Sequence, residues 1–185
     1  MNVRHLLPAA LLLSIVPFMS AQVPSTDTNT VDVRLIGADG QPGPVVQSTR
    51  VVKTDAEWEK QLGPSVYRVL RAKGPEAPFC GNLLDNHKDG VYFCAGCELP
   101  LFASSSKFNS GTGWPSFYRP FAKENITEIR DVSLGMVRTE IRCARCGGHL
   151  GHVFDDGPPP TGLRYCLNSA ALVFKEEAEV KKLGK

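Results

Sequence analysis

The chain has 185 residues, 42% of them hydrophobic, with 21 Lys and Arg against 19 Asp and Glu. That length and apolar share suit one folded domain with a substantial core and exclude a chain that is disordered throughout. The near-balance of charge gives no electrostatic reason to expect nucleic-acid binding.

At the N-terminus Arg4 precedes an apolar run from Leu6 to Phe18 and small residues at Ser20 and Ala21. This is the three-part layout of a secretory signal peptide, over residues 1–21. The run is shorter than the ~20 apolar residues a bilayer span requires, and no later stretch is longer, so stable membrane insertion is not expected. Cleavage would remove Arg4 and no acidic residue, leaving 20 basic against 19 acidic groups. The expected address is outside the cytoplasm, in a bacterial periplasm first, with secretion or an organelle lumen as alternatives.

Residues 22–50 are rich in Thr, Asp, Gly and Pro and read as a linker or N-terminal extension, in which only Val31 to Ile36 alternates like a strand. The catalytic domain is assigned to residues 51–176. Thr54-Asp55-Ala56-Glu57 carries a helix-capping signature, and Trp58, Leu62, Val66 and Leu70 recur at helical spacing. Gly63-Pro64 interrupts them, so two short helices are expected, over 55–62 and 65–73.

Beyond Gly74 the pattern becomes short runs between turn signals, at 91–93, 99–102, 126–129, 136–141, 163–167 and 171–174. The predicted fold is mainly β and antiparallel. From Val137 to Arg142 the β-branched residues take alternate positions, which predicts one packed face and one facing water. Residues 177–185 form a charged tail, frayed or a short helix.

Six cysteines divide into four plus two. Cys94 and Cys97, with Cys143 and Cys146, form two Cys-x-x-Cys pairs 45 residues apart. Two such turns can close a tetrahedral structural Zn²⁺ site with Zn–S bonds of about 2.3 Å, which leaves no open position for catalysis. In an exported chain the same cysteines could instead form disulfides.

Cys166 lies in Arg164-Tyr165-Cys166-Leu167-Asn168, where period two puts Arg164, Cys166 and Asn168 on one face. A guanidinium beside a thiol favours the thiolate, and an amide can bond to a reacting group. Taken alone, Cys166 also suits a buried core position. Upstream, His149-Leu150-Gly151-His152-Val153-Phe154-Asp155-Asp156 offers two imidazoles as acid or base and carboxylates to orient them. Both histidines can face one site only if the chain bends near Gly151. Gly113-Trp114-Pro115-Ser116-Phe117-Tyr118 supplies aromatics for core packing or for an apolar wall against a small alkyl group.

These motifs closely resemble the methionine-R-sulfoxide reductases of the MsrB type, over residues 53–174. The resemblance implies two antiparallel sheets around a central site, a zinc ion on the four paired cysteines, and reduction of the R epimer of methionine sulfoxide in oxidised proteins or peptides. Carried across, Cys166 attacks the sulfoxide sulfur and becomes a sulfenic acid. His149, His152 and Asn168 position the substrate or protonate its oxygen, Arg164 with Asp156 tunes the thiolate, Trp114 receives the methyl group, and Phe117 is a second substrate-binding residue.

Many members carry a recycling cysteine immediately before Gly-Trp-Pro-Ser-Phe, where this chain has Thr112. Cys80 is then the remaining thiol, and a Cys80–Cys166 disulfide is expected in each turnover, reduced by a thioredoxin-like partner. The enzyme is expected to act as a monomer. Two rival classes are a zinc-ribbon binding module, which leaves Cys166 and the histidines unexplained, and a thiol–disulfide oxidoreductase, whose Cys-x-x-Cys within a βαβ unit is missing.

Overall fold

Apart from Met1, the computed structural model describes residues 29–184. The expected signal peptide lies outside them, and no helix among the described residues is long and apolar enough to cross a membrane.

The segment read as a linker is a folded hairpin, with strand β1 (Thr30–Ile36) antiparallel to β2 (Pro42–Thr49). Its turn closes through Gly37 N to Gln41 O at 2.7 Å and Gln41 N to Asp39 Oδ1 at 2.9 Å. Pro42 and Pro44 hide β2 from a sequence pattern, yet a strand at a sheet edge can do without their N–H groups. The hairpin is docked: Val33 is fully buried, and Asn125 takes the N–H of Arg34 and donates to its carbonyl, both at 2.8 Å.

Helix α1 (Asp55–Leu70) starts on the predicted capping box. Thr54 accepts from Glu57 N, and the Glu57 carboxylate accepts from Thr54 N at 2.8 Å. It kinks at Gly63 (φ 72°, ψ 163°), where Pro64 has no N–H to continue the ladder. The second half ends at Leu70, short of residue 73. Trp58 and Leu70 are buried and pack over the cysteine turns, where Gly96 and Gly148 leave room: a Cβ on either would come within 2.9 Å of the Leu70 side chain.

Two larger antiparallel sheets make the body. The strands are β3 (Gly90–Cys94), β4 (Pro100–Ala103), β5 (Lys107–Phe108), β6 (Ser116–Phe117), β7 (Ile126–Asp131), β8 (Arg138–Cys143), β9 (His149–Phe154), β10 (Arg164–Leu167) and β11 (Leu172–Glu176). One sheet runs β5-β6-β10-β9-β8-β7 and the other β11-β3-β4. Their facing side chains form one buried cluster in which Tyr92 meets Phe117 edge-on at 5.0 Å and Phe102 lies 4.8 Å from Phe117. Burying a ring such as Phe117 contributes about 2–3 kcal/mol. The charged tail forms α2 (Glu177–Leu183), anchored by buried Val180.

Candidate active site

Each Cys-x-x-Cys occupies the same turn. Glu98 N bonds to Cys94 O, and Gly147 N to Cys143 O, each at 2.8 Å, with left-handed backbone at Glu98 (φ 57°) and Gly147 (φ 70°). The four Sγ atoms lie within 4.8 Å of one another, with Cys94 to Cys146 at 3.6 Å and Cys97 to Cys143 at 3.4 Å. A disulfide would bring two sulfurs to about 2.05 Å, and none of the six cysteines is bridged. Thiolates around a tetrahedral ion with bonds of about 2.3 Å sit about 3.8 Å apart. The quartet has the donors and spacing to hold a metal ion, and it joins the end of β3 in one sheet to the end of β8 in the other.

The reactive groups lie on the opposite face of the six-stranded sheet from this core. In β10 Tyr165 and Leu167 point into the core, which turns Arg164 and Cys166 outward. Directly across from Cys166 are His152 on β9 and Ser116 on β6, and across from His152 is Glu140 on β8. Cross-strand pairing thus sets Ser116, Cys166, His152 and Glu140 in one row.

His149 joins them through a bulge. Ile141 pairs with Gly151 but Arg142 with His149, so Leu150 is an extra residue in β9. The predicted bend near Gly151 is this bulge, and it brings both imidazoles to one cavity of about 640 Å³. Gly151 is required there, because a Cβ would lie 2.0 Å from Cys166 O.

Each imidazole has a carboxylate behind it. His149 Nδ1 bonds to Glu140 Oε1 at 2.7 Å, and the other Glu140 oxygen takes Lys73 Nζ at 2.9 Å and Arg142 at 2.7 Å. His152 Nε2 bonds to Asp131 Oδ2 at 2.8 Å, which also accepts from Arg138 at 2.9 Å. Burial works against ionisation of Glu140, but hydrogen bonds from Arg142, Lys73 and His149 hold it at about 2. Asp131 is held well below the usual carboxylate range by hydrogen bonds from Ser133 and His152. Burial pushes His149 below its ordinary 6.5, against the pull of Glu140. An ionised carboxylate only accepts, so Glu140 takes Nδ1–H and leaves Nε2 of neutral His149 as a lone pair.

Cys166 lines the cavity beside Asn168 and Trp114. Its thiol is pushed up by burial, which outweighs the Thr112 hydroxyl and the Arg164 charge. The Arg164 charge favours the thiolate, though by less than burial opposes it. Arg164 is bound to Asp156 by two hydrogen bonds, at 2.8 and 2.9 Å, and stacks on Phe154 at 4.4 Å, so its charge is largely matched elsewhere. Asn168 Nδ2 donates to Leu150 O at 3.2 Å. The expectation for Phe117 is corrected: it is fully buried among core rings and cannot meet a substrate, whereas Phe154 lines the cavity.

The family model described as "SelR domain" matches residues 62–176. The chain is 58% identical over 127 residues to a peptide methionine sulfoxide reductase MsrB of Thiobacillus denitrificans, covering 69% of this chain and 96% of the relative. It is 56% identical over 128 residues to the protein of that name from Agrobacterium fabrum (69% and 95%) and over 126 residues to that from Pseudomonas entomophila (68% and 96%). The chain belongs to the MsrB family. The hairpin β1–β2 lies outside the stretch matched by the family model.

Within this MsrB-family chain Thr112 Oγ1 lies 3.9 Å from Cys166 Sγ. Cys80 is exposed and does not line the cavity. Its segment runs close by, however. Glu76 accepts from Ser169 N at 2.7 Å and Ala170 N at 2.9 Å, and its carbonyl takes Trp114 Nε1 at 3.3 Å. Phe79 N bonds to Gly113 O at 2.8 Å, and Gly81 fits so tightly on Ser169 that a Cβ would lie 2.0 Å from its Oγ.

Glu140, Asp131, Lys73, Arg138 and Glu76 are site residues that sequence reasoning missed. The charged partners of the histidines predict an acid response. His149 titrates lower folded than unfolded, so folding loses stability as pH falls below about 6.5. Glu140 also titrates lower when folded, so its contribution is complete above 4.5 and fades as pH falls toward about 2. In urea unfolding against pH, Glu140→Gln should flatten the fall between 4.5 and 2, removing an acid-sensitive component of the order of 3 kcal/mol. An unchanged slope would contradict the network.

Proposed function

We propose that this protein reduces the R epimer of methionine sulfoxide in oxidised proteins and peptides, with Cys166 as nucleophile. The supporting observation is one apolar cavity shared by a cysteine and two imidazoles, each bonded to its own carboxylate. Cys166 sulfur attacks the sulfoxide sulfur, the S–O bond breaks and the thioether departs as methionine. The oxygen remains on Cys166 as a sulfenic acid, so thiol plus sulfoxide gives sulfenic acid plus thioether with no net proton consumed. Once Nε2 of His149 has taken up a proton, with Nδ1–H still held by Glu140, it donates to the oxygen as it is transferred, and His152 lies beside it. Asn168 lies beside them, Trp114 and Phe154 form the apolar wall for the methyl group, and Asp156 fixes Arg164.

Cys80 thiol then attacks the sulfenic sulfur, releasing water and forming the Cys80–Cys166 disulfide. The closeness of Gly81 to Ser169 supports this route, and the two Cα atoms must approach within about 7 Å. A thioredoxin-like dithiol reduces the disulfide. The ion on Cys94, Cys97, Cys143 and Cys146 is Zn²⁺ in a closed structural site. The protein acts as a monomer outside the cytoplasm, in a periplasm, as its leader-like N-terminus implies.

The test is a single turnover: reduced, metal-loaded protein is mixed with one equivalent of R- or S-sulfoxide peptide, and cysteine linkages are mapped by mass spectrometry. Reduced R peptide with a Cys80–Cys166 cross-link is the expected result. Cys80→Ser should keep the single-turnover yield yet lose thioredoxin-driven steady-state activity by about tenfold or more. Full steady-state activity in that variant would remove Cys80 from the cycle, and no reduction of either epimer would remove the reductase reading.

A further inference from the structure

Three hydroxyls occupy the side of Cys166 away from the histidines. Thr112 Oγ1 is 3.9 Å from Cys166 Sγ, within reach of a hydrogen bond to sulfur, and Ser110 Oγ is 2.8 Å from Thr112 Oγ1. Ser116, buried and directly opposite Cys166 across the sheet, has its Oγ 2.7 Å from Ser110 Oγ and 3.2 Å from Trp114 O. Ser110 also lines a second cavity, of about 410 Å³, on the far side of the Trp114 turn. An unbroken row of exchangeable protons therefore runs from the cysteine sulfur to a different cavity from the one holding the imidazoles.

We infer that Thr112 and Ser110 form a proton relay that carries the Cys166 proton to water in this second cavity and then donates hydrogen bonds back to the thiolate. The inference rests on Cys166 being the nucleophile. In the step, the Cys166 S–H proton moves to Thr112 Oγ1, the Thr112 proton to Ser110 Oγ and the Ser110 proton to water. One proton leaves, a thiolate remains, and every hydroxyl now points its hydrogen toward the sulfur. Such a chain is polarised in one direction, which strengthens each bond in it. Ser116 positions Ser110. Without an outlet the half-buried thiol would have to lose its proton into the apolar cavity where the sulfoxide binds; with one, deprotonation occurs on one side and oxygen protonation on the other. Thr112 touches the reacting sulfur and is a catalytic residue by that contact, whereas Ser110 acts through it.

The test follows alkylation of Cys166 by iodoacetamide against pH in the metal-loaded full chain, read at the Cys166 peptide by mass spectrometry. Thr112→Val keeps the branched shape and removes the hydroxyl. It should raise the midpoint by about one pH unit and slow alkylation at pH 7 about tenfold. Ser110→Ala should shift it in the same direction by about half a unit, and Thr112→Ser should restore the parent profile. An unmoved midpoint in Thr112→Val overturns the inference; so does a shift in Thr112→Val with none in Ser110→Ala, which would leave a lone hydroxyl and no relay. Metal content and circular dichroism check folding, and Ser110→Ala decides if Thr112→Val does not fold. Alkylation needs no sulfoxide, so a protein inert to the sulfoxide peptide but showing these shifts would fail the proposed reaction and not the relay.

Discussion

Cys166→Ser protein, folded and carrying its metal, should reduce an R-sulfoxide peptide at least about 10³-fold more slowly than the parent. A serine hydroxyl is a far poorer nucleophile near neutral pH and cannot become a sulfenic acid. The substitution is also gentle on the fold, since Cys166 sits at the cavity surface while Tyr165 and Leu167 supply the buried face of β10. Stopped-flow or chromatographic assay of peptide reduction, beside a metal determination, separates lost chemistry from lost structure. Appreciable turnover in the serine variant would place the nucleophile elsewhere.

Cys143→Ser should have the largest effect on stability. Cys143 is almost fully buried at the end of β8, and the quartet links that strand to β3 in the second sheet. Removing one thiolate breaks a closed four-donor shell and uncouples the two sheets. A structural Zn²⁺ on thiolates contributes about 10 kcal/mol or more at neutral pH, comparable to the whole stability of a typical domain at about 5–15 kcal/mol. The variant should be isolated without metal and unfolded at 25 °C, and strong chelators should unfold the parent. Retention of a sharp thermal transition by the metal-free variant, at a temperature close to that of the parent, would count against a structural metal.

What the sequence revealed was local. The cysteine turns, the Thr54–Glu57 cap and the Gly63-Pro64 kink are set by residues within a few positions of one another, and each lies where its spacing places it. The carboxylates behind the histidines were not legible, because Asp131 and Glu140 reach His152 and His149 through pairing of separate strands. Alternation in β8 does distinguish Ile141 from its neighbours, but it assigns the polar face to water. That face carries Glu140, which is buried, and it supports the cavity. Phe117 faces the core because its neighbour Ser116 pairs with Cys166 on the outward face, a register that a two-residue strand does not reveal in sequence. The Pro-rich β2 escaped because propensity describes central strands better than edges.

The extra residue at Leu150 stores part of the site as a count and not as an identity. Upstream of it His149 alone keeps step with Arg142 beside the cysteine turn, and downstream Gly151 to Val153 keep step with β8 and with Cys166, so the two sides of the bulge obey different parities. A scan that swaps side chains one by one leaves this parity untouched and will not detect it. Shortening β9 by one residue would test it, because the side chains on one side of the bulge would then turn to the wrong face. A single codon can in this way misalign the histidines while every catalytic letter remains in the sequence.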